Sequence, residues 1–266
     1  MRIALGIEYN GSGFHGWQMQ QQGIRSVQHE VEQAIAKVAD HAVRVHCAGR
    51  TDTGVHALEQ VIHFDTQARR PLRAWTQGVN VHLPDDVSTL WATQVSEEFH
   101  ARFSAERRRY RYLILNRPVR SALQYGRATW IYRPLDAEVM HAAAQALTGT
   151  HDFSSYRALG CQAKSPLRTL YHISVRRRGE ILELEIEANA FLHHMVRNIA
   201  GVLIAIGKGE AGTSWAKEVL ELRDRRLGGV TAPPDGLYFE KVIYPERFRE
   251  LSGDKSNWES KFRRVQ

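Results

Sequence analysis

The chain has 266 residues, which is enough for one large domain or for two of ordinary size. Its 36 Lys and Arg outnumber its 29 Asp and Glu, giving a net charge of +7, and this suits an anionic partner such as nucleic acid, although many soluble proteins are mildly basic without one. Two cysteines without C-x-x-C spacing argue against a zinc motif and favour a reducing cytoplasm, and the most apolar run, residues 199–206, is shorter than the ~20 residues that cross a membrane.

The first half of the chain predicts a β-α-β-β-α-β order. Residues 2–9 directly follow Met1, without a secretory leader, and alternate apolar with polar side chains as a half-buried strand does. Ser26 is predicted to begin a helix and to cap its first turn, because apolar residues then recur on one helical face. Further strands are expected at about 43–47, 58–64 and 88–95, and a short helix at 72–81.

The second half repeats this order with insertions. Strands are predicted at 109–115, 170–177, 180–188 and 236–243, and helices at 136–147, after Phe191 and from Trp215 to about 225. Arg178 and Gly179 are expected to form a hairpin turn, since apolar and acidic residues alternate after them. The acidic set, Glu183, Glu185 and Glu187, is expected to face solvent.

The repeated order predicts an α+β fold of two tandem ferredoxin-like or RRM-like units with mainly antiparallel sheets. The units are expected to span residues 1–105 and 106–245 and to meet around a concave, central RNA-binding cleft. Residues 246–266 are polar and lack periodicity, which predicts a mobile tail.

One tight turn, residues 50–57, places Asp52 beside Arg50 between two predicted strands. Strand ends are where a rigid sheet presents loop residues to a ligand. An ionised carboxylate at such a position can attack a substrate covalently or remove a proton. By itself, such a turn is more often only an Asx-turn, in which Gly54 supplies a positive φ.

Four separated parts of the chain match the characteristic segments of one known family. They are EYNGS at 8–12 with GWQ at 16–18, RTDTGVHA at 50–57, FHARFSA at 99–105 and NAFLHHMVRN at 189–198. In content, order and spacing they resemble the TruA family of tRNA pseudouridine synthases, over about residues 1–245. The resemblance implies that Asp52 is the catalytic nucleophile. One carboxylate suffices for this isomerisation, so neither a metal nor an organic cofactor is expected.

The resemblance also implies a substrate and an assembly. Family members isomerise uridine to pseudouridine at positions 38, 39 and 40 of the tRNA anticodon stem-loop, as homodimers in which one tRNA spans both subunits. Two alternatives stay open: a non-catalytic RNA-binding protein, because duplicated RRM-like units can bind RNA without chemistry, and a pseudouridine synthase with a different uridine target. Glu59, where the family more usually has a small residue, is expected to alter the strand surface rather than the chemistry.

Three residues are expected near Asp52. Tyr110 matches the tyrosine that stacks on the target uracil in the family, and strand alternation places it with Tyr112, away from the neighbouring arginines. Arg197 lies among apolar residues and needs a carboxylate partner if buried, for which Asp52 is preferred; a snorkelling arginine at the helix start is the alternative. Arg50 could either pair with Asp52 or meet phosphate.

Other basic residues and possible cofactor motifs are weaker candidates for a functional role. The arginines that could contact RNA phosphates include Arg25, Arg102, Arg107 and Arg109, together with Arg69 and Arg70. His193 and His194 are expected to point about 100° apart on a helix, which argues against a shared metal ion. Gly207-Lys208-Gly209 lacks both the following Ser or Thr and the upstream glycine of a phosphate-binding loop, so no nucleotide cofactor is expected.

Overall fold

The structure is a computed structural model that describes residues 1–20 and 23–252. Its strands are β1 (Arg2–Tyr9), β2 (His46–Cys47), β3 (His56–Asp65), β4 (Val87–Val95), β5 (Arg107–Asn116), β6 (Thr129–Ile131), β7 (Gly149–Asp152), β8 (Leu167–Arg178), β9 (Ile181–Ala188) and β10 (Leu237–Ile243). They form one mixed, mainly antiparallel sheet in the order β4-β1-β3-β10-β5-β9-β8-β7, with β2 beside β3 and β6 beside β5. The predicted α+β class is confirmed.

Strand β10 joins the two halves of the chain into this continuous sheet. It runs parallel to β3, where Tyr238 and Phe239 stand opposite His56 and Ala57, and antiparallel to β5. The last strand of the chain therefore lies between a strand of the first half and a strand of the second. The loop that carries Asp52 directly precedes β3, so it lies at this junction.

The helices are α1 (Val27–Ala39), a π-helical turn at Ala74–Gly78, α2 (Ala137–Ala144), α3 (Met195–Gly207) and α4 (Trp215–Leu222). α1 begins after Ser26 as predicted, but the Ser26 hydroxyl makes no capping hydrogen bond and has no partner among the described residues. Instead, the carbonyl groups of Gly16 and Trp17 accept from the N–H groups of Val27 and Gln28 at 3.2 and 3.0 Å. Carbonyl groups of the preceding loop therefore cap the first turn of α1 in place of the serine hydroxyl.

None of the helices in the described ranges combines the length and apolarity that crossing a bilayer requires. The predicted mobile tail begins too early. Residues Glu246–Ser252 form 3₁₀ turns in which Phe248 and Leu251 are buried, and the Phe248 ring meets Phe99 edge-on with centroids 5.2 Å apart. The remainder of that prediction, residues 253–266, lies outside the described residues.

The acidic residues of β9 do not simply face solvent, because arginines of β5 lie across from them. The two strands are antiparallel, and Arg109 and Arg111 stand directly opposite Glu187 and Glu185. We call the set formed by Arg107, Arg109, Arg111, Glu183, Glu185, Glu187 and Glu240 the Arg–Glu ladder. The prediction failed because alternation identifies the face of a strand but not the charges that the neighbouring strand places beside it.

Glu187 is the most completely paired carboxylate of the ladder. Its Oε1 lies 3.1 Å from Nη1 of Arg107, and its Oε2 lies 2.6 Å from Nη2 of Arg109. Burial alone would raise the pKa of Glu187, but the hydrogen bonds from Arg109 and Arg107 hold it below its ordinary value. Arg111 pairs with Glu240 at 2.7 Å in the same way.

Candidate active site

The Asp52 loop is fixed by hydrogen bonds on both sides of the carboxylate. Thr51 is buried, and its hydroxyl shares a hydrogen bond of 2.8 Å with the hydroxyl of Tyr9. The Thr51 carbonyl accepts from the Trp17 N–H at 3.0 Å. Gly54 has a φ of +79°, in the left-handed region that glycine adopts without strain, as the turn chemistry predicted. The backbone of Asp52 is thus held between two anchored neighbours.

His56 ties this loop to the second half of the chain. Its Nδ1 accepts from the Gly11 N–H at 3.0 Å, which leaves Nε2 to donate to the Asp235 carbonyl at 3.1 Å. Its ring stacks on Tyr238 with centroids 4.6 Å apart. Burial lowers the pKa of His56, so the neutral imidazole that this pattern requires is favoured. Sequence reasoning gave His56 no role, although it lies within the octapeptide that drew attention to Asp52.

Three side chains in and just before the first turn of α3 surround the Asp52 carboxylate, which is 30% exposed. His193 Nε2 lies 3.3 Å from Oδ1, His194 Nε2 lies 3.5 Å from Oδ2, and Arg197 Nη1 lies 3.9 Å from Oδ2. The N-terminus of a helix carries a partial positive charge, which also favours an anion at this place. The predicted contact between Arg197 and Asp52 is therefore present, as a long one.

The expectation that His193 and His194 diverge on a helix is wrong. α3 begins only at Met195, and His194 precedes it with a left-handed backbone, φ 61° and ψ 5°. The two rings lie with centroids 4.0 Å apart and both reach Asp52. Burial lowers the pKa of His194, with the Asp52 charge acting in the opposite direction.

Arg197 is anchored independently of the carboxylate. Its Nε donates to the Ala232 carbonyl at 2.8 Å, and only 14% of its side chain is exposed. Its guanidinium therefore has a fixed place beside Asp52 without a close hydrogen bond to it. A carboxylate that lacks a tight partner keeps its lone pairs available for chemistry.

Tyr110 lies beneath this site and is 8% exposed. Its ring meets Phe191 and Phe239 edge-on, with centroids 4.9 and 5.1 Å away. Burial, and then the charge of Asp52, raise the pKa of Tyr110, so its phenol stays protonated. Tyr112 is fully buried on the same side of β5, and its hydroxyl donates to the Pro233 carbonyl at 2.8 Å.

The remaining predicted arginines differ in whether a carboxylate already binds them. Arg50 is exposed and, within the described ranges, forms no ion pair, so of its two alternatives the pair with Asp52 is absent. Arg25 holds both carboxylate oxygens of Asp86 at 2.8 and 2.9 Å. Arg107 and Arg109 belong to the Arg–Glu ladder, and the Arg102 guanidinium lies 5.6 Å from the exposed Phe103 ring. Arg25, Arg107 and Arg109 are thus already held by carboxylates.

Glu59 accepts a hydrogen bond from the indole Nε1 of Trp91 at 3.1 Å. The indole crosses Gly6 on β1, where any Cβ would collide with it. Glu59 therefore belongs to a contact on the sheet surface, as predicted from the sequence.

Comparison with known proteins gives a consistent result. The family model for tRNA pseudouridine synthase matches residues 6–104 and 143–245. A tRNA pseudouridine synthase A of Methylococcus capsulatus is 59% identical over 248 residues, which is 93% of this chain and 91% of that protein. The protein of the same name from Pseudomonas aeruginosa is 58% identical, over 93% of this chain and 87% of its own. A chain in the crystal structure of a Cbf5-Nop10-Gar1 complex is 15% identical, covering 76% of this chain and 45% of that one, with a TM-score of 0.32.

Proposed function

This chain belongs to the tRNA pseudouridine synthase family, and we propose that it isomerises uridine at positions 38, 39 and 40 of the tRNA anticodon stem-loop, with Asp52 as its catalytic residue. One observation carries the assignment of Asp52. Its carboxylate is carried by an anchored loop that faces the start of α3. Two imidazoles and Arg197 surround the carboxylate, but none of them binds it tightly. The homodimer implied by the sequence resemblance is part of the same proposal.

The chemistry asks for one ionised carboxylate. Isomerisation breaks the bond between C1′ and N1 of uridine and joins C1′ to C5, without oxidation or reduction. A carboxylate can attack the ribose or the base, or remove a ribose proton. Arg197 and the N-terminus of α3 both place positive charge near the Asp52 carboxylate.

A base inside a stem must leave its stack before it can react, and that costs a few kcal/mol. The ring of Tyr110, close enough to Asp52 to feel its charge, gives the extruded uracil an aromatic surface. Stacking on such a surface is worth about 1–3 kcal/mol per base, which offsets part of the cost. Arg50, exposed two residues before Asp52, is the arginine best placed to hold a phosphate of the same strand.

We also propose that residues 1–105 and 106–245 are two ferredoxin-like units, and the strand order supports this division. In the first half the order is β4-β1-β3, with β2 against β3. In the second half the order β10-β5-β9-β8 repeats this arrangement, since β5, β8, β9 and β10 are the matching strands. RNA bound near the junction at β10 would contact both units.

The test is tritium release from tRNA labelled with [5-³H]uridine, because forming the new bond at C5 expels that hydrogen. Wild type is expected to release tritium and Asp52→Ala to release none while still binding tRNA. Asp85→Ala, which removes an exposed carboxylate from the loop before β4, serves as the matched control. No release by folded wild-type protein would overturn the enzymatic proposal and leave RNA binding alone.

A second substrate tests the position. In a tRNA whose residues 38, 39 and 40 are all cytidine, tritium release is expected to vanish. Continued release from that tRNA would show a different uridine target and would contradict the positional part of the proposal without affecting the role of Asp52.

A further inference from the structure

Three side chains of metal-binding type converge at Asp52. The Nε2 atoms of His193 and His194 lie 3.3 and 3.5 Å from the two carboxylate oxygens, and one donor atom from each residue lies within 4.8 Å of the others. We propose that Asp52, His193 and His194 bind a divalent transition-metal ion such as Zn²⁺, and that this ion blocks Asp52.

The distances fit a four-coordinate ion. Zinc lies 2.0–2.2 Å from nitrogen and oxygen ligands, so two ligands of a tetrahedral site are about 3.4 Å apart. The two imidazole-to-carboxylate distances are already close to this value. An ion could therefore enter with small movements of the side chains, and its fourth position would stay open to water.

The donor set selects the class of ion. Two imidazoles and one carboxylate suit zinc, copper, nickel and ferrous iron. Calcium and magnesium prefer oxygen ligands in larger number and are not expected here. Asp52 supplies a negative charge that offsets part of the charge of the ion.

The backbone holds the two histidines in place before any ion arrives. The His193 carbonyl accepts from the Ala158 N–H at 2.8 Å, and the His194 carbonyl accepts from the Asn198 N–H at 2.9 Å. His194 has a left-handed backbone, which is uncommon for a residue with a Cβ and is found preferentially at functional sites. This conformation turns both imidazoles towards the same carboxylate. The backbone at both ligands therefore needs no rearrangement for the imidazoles to reach Asp52.

Arg197 limits the affinity. Its Nη1 lies 3.9 Å from Oδ2 of Asp52, and its bond to the Ala232 carbonyl prevents it from moving away freely. Repulsion from this charge favours a reversible, inhibitory ion rather than a permanent structural one. An ion bound to both histidines would occupy the carboxylate oxygens that the proposed reaction needs.

The direct test is binding of Co²⁺, whose visible absorption strengthens when it moves from six water ligands to a four-coordinate protein site. Zn²⁺ competition for the bound Co²⁺ then gives the zinc affinity. The variants are His193→Gln and His194→Asn, because asparagine tolerates the left-handed backbone and preserves the fold. His29→Gln on α1 removes an exposed imidazole elsewhere and is the matched control.

Wild type and His29→Gln are expected to bind one Co²⁺ with the four-coordinate spectrum. Even partners of metal ligands contribute about 10–100-fold to affinity, so loss of a direct ligand should weaken binding at least about tenfold. Unchanged affinity in both His193→Gln and His194→Asn would overturn the proposal, as would a wild-type spectrum that stays six-coordinate. A loss seen only in His100→Gln would overturn it too, by assigning the ion to the cluster of His46, His63 and His100.

The inhibitory consequence rests on the proposed function and is measured separately. Zn²⁺ is expected to stop tritium release by wild type, and a chelator to restore it. His193→Gln, compared with its own rate without metal, should need at least about tenfold more Zn²⁺ for half inhibition. Metal binding without any tritium release from metal-free wild type would refute the enzymatic proposal and leave the site intact; release that Zn²⁺ does not slow would refute the inhibition.

Discussion

Asp52 and Glu187 are both carboxylates beside arginine, yet their surroundings differ. Glu187 is buried and takes one arginine on each oxygen, at 3.1 and 2.6 Å. Asp52 is 30% exposed, and the groups around it stand 3.3, 3.5 and 3.9 Å away. A carboxylate with short bonds to both oxygens has lone pairs of each oxygen already committed to its arginine donors. A carboxylate with only long contacts keeps lone pairs available to a substrate.

The difference has a structural origin. Glu187 and Arg109 stand opposite each other on adjacent strands, where the ladder of backbone hydrogen bonds fixes the distance between them. Asp52 meets its neighbours across a gap between a loop and the start of α3, which come from different halves of the chain. Loop geometry, rather than sheet register, sets those distances and leaves them longer. The Arg–Glu ladder therefore ties neighbouring strands together, while the Asp52 carboxylate stays accessible to a bound molecule.

Asp52→Asn should have the largest effect on activity. It keeps the shape of the side chain but removes the proposed catalytic carboxylate and its charge, so tritium release should fall at least about 10⁴-fold. The unfolding free energy should change little, because no short ion pair is lost. Glu187→Gln is the contrasting variant and should retain its activity at a temperature where it is folded. If Asp52→Asn lost stability and kept its rate, the assigned difference between the two carboxylates would be wrong.

Glu187→Gln should have the largest effect on stability. The change leaves Arg107 and Arg109 without the charge that binds them, and hydrogen bonds to charged groups contribute about 1.5–3 kcal/mol each. Since both arginines are partly exposed, we expect the unfolding free energy to fall by about 1–3 kcal/mol in urea titration. Glu185→Gln is the matched control. Its contact with Arg109 is longer, 3.5 Å, so its loss should cost less than about 1 kcal/mol. Equal costs would show that the short bonds to Glu187 add nothing.

Acid should weaken the same pair in a predictable direction. The folded pKa of Glu187 lies below its unfolded value of about 4.3, so the stabilisation is fully present above that pH. It is lost as the pH falls towards the folded pKa. The difference in unfolding free energy between wild type and Glu187→Gln should therefore narrow between about pH 5 and pH 3. A difference that widened on acidification would contradict the lowered pKa.

Strand periodicity predicted most of the sheet, because alternating side chains report directly on which face is buried. β6 and β7 escaped prediction, since three and four residues are too few to display a period. The partners of Glu187 escaped it for another reason. A pair across two strands depends on their register, and no local pattern specifies which residue of β5 stands opposite which residue of β9.

At the site, too, sequence patterns predicted some residues but not how those residues are placed relative to one another. Asp52 and Arg197 could be selected from the sequence, since a carboxylate in a tight turn and an arginine among apolar residues both demand an explanation. The positions of His193 and His194 could not. They depend on α3 beginning at Met195 rather than soon after Phe191, and on the sign of a single φ at His194. Propensity does not predict a left-handed backbone at a histidine.

Arg50→Gln should have the smallest effect, and it extends the comparison from carboxylates to arginines. Arg50 is exposed beside Asp52, so replacing it should weaken tRNA binding by about 3–10-fold and reduce the salt dependence by roughly one phosphate contact. Arg178→Gln is the matched control. Arg178 is exposed, ends β8 and pairs with Ile181 at the start of β9, whereas His193 of the site follows the other end of β9, and the eight residues of that strand span roughly 25 Å. This control should leave both the affinity and the salt slope unchanged. Equal losses in the two variants would mean that tRNA senses the overall basic charge, and that position beside Asp52 gives Arg50 no advantage.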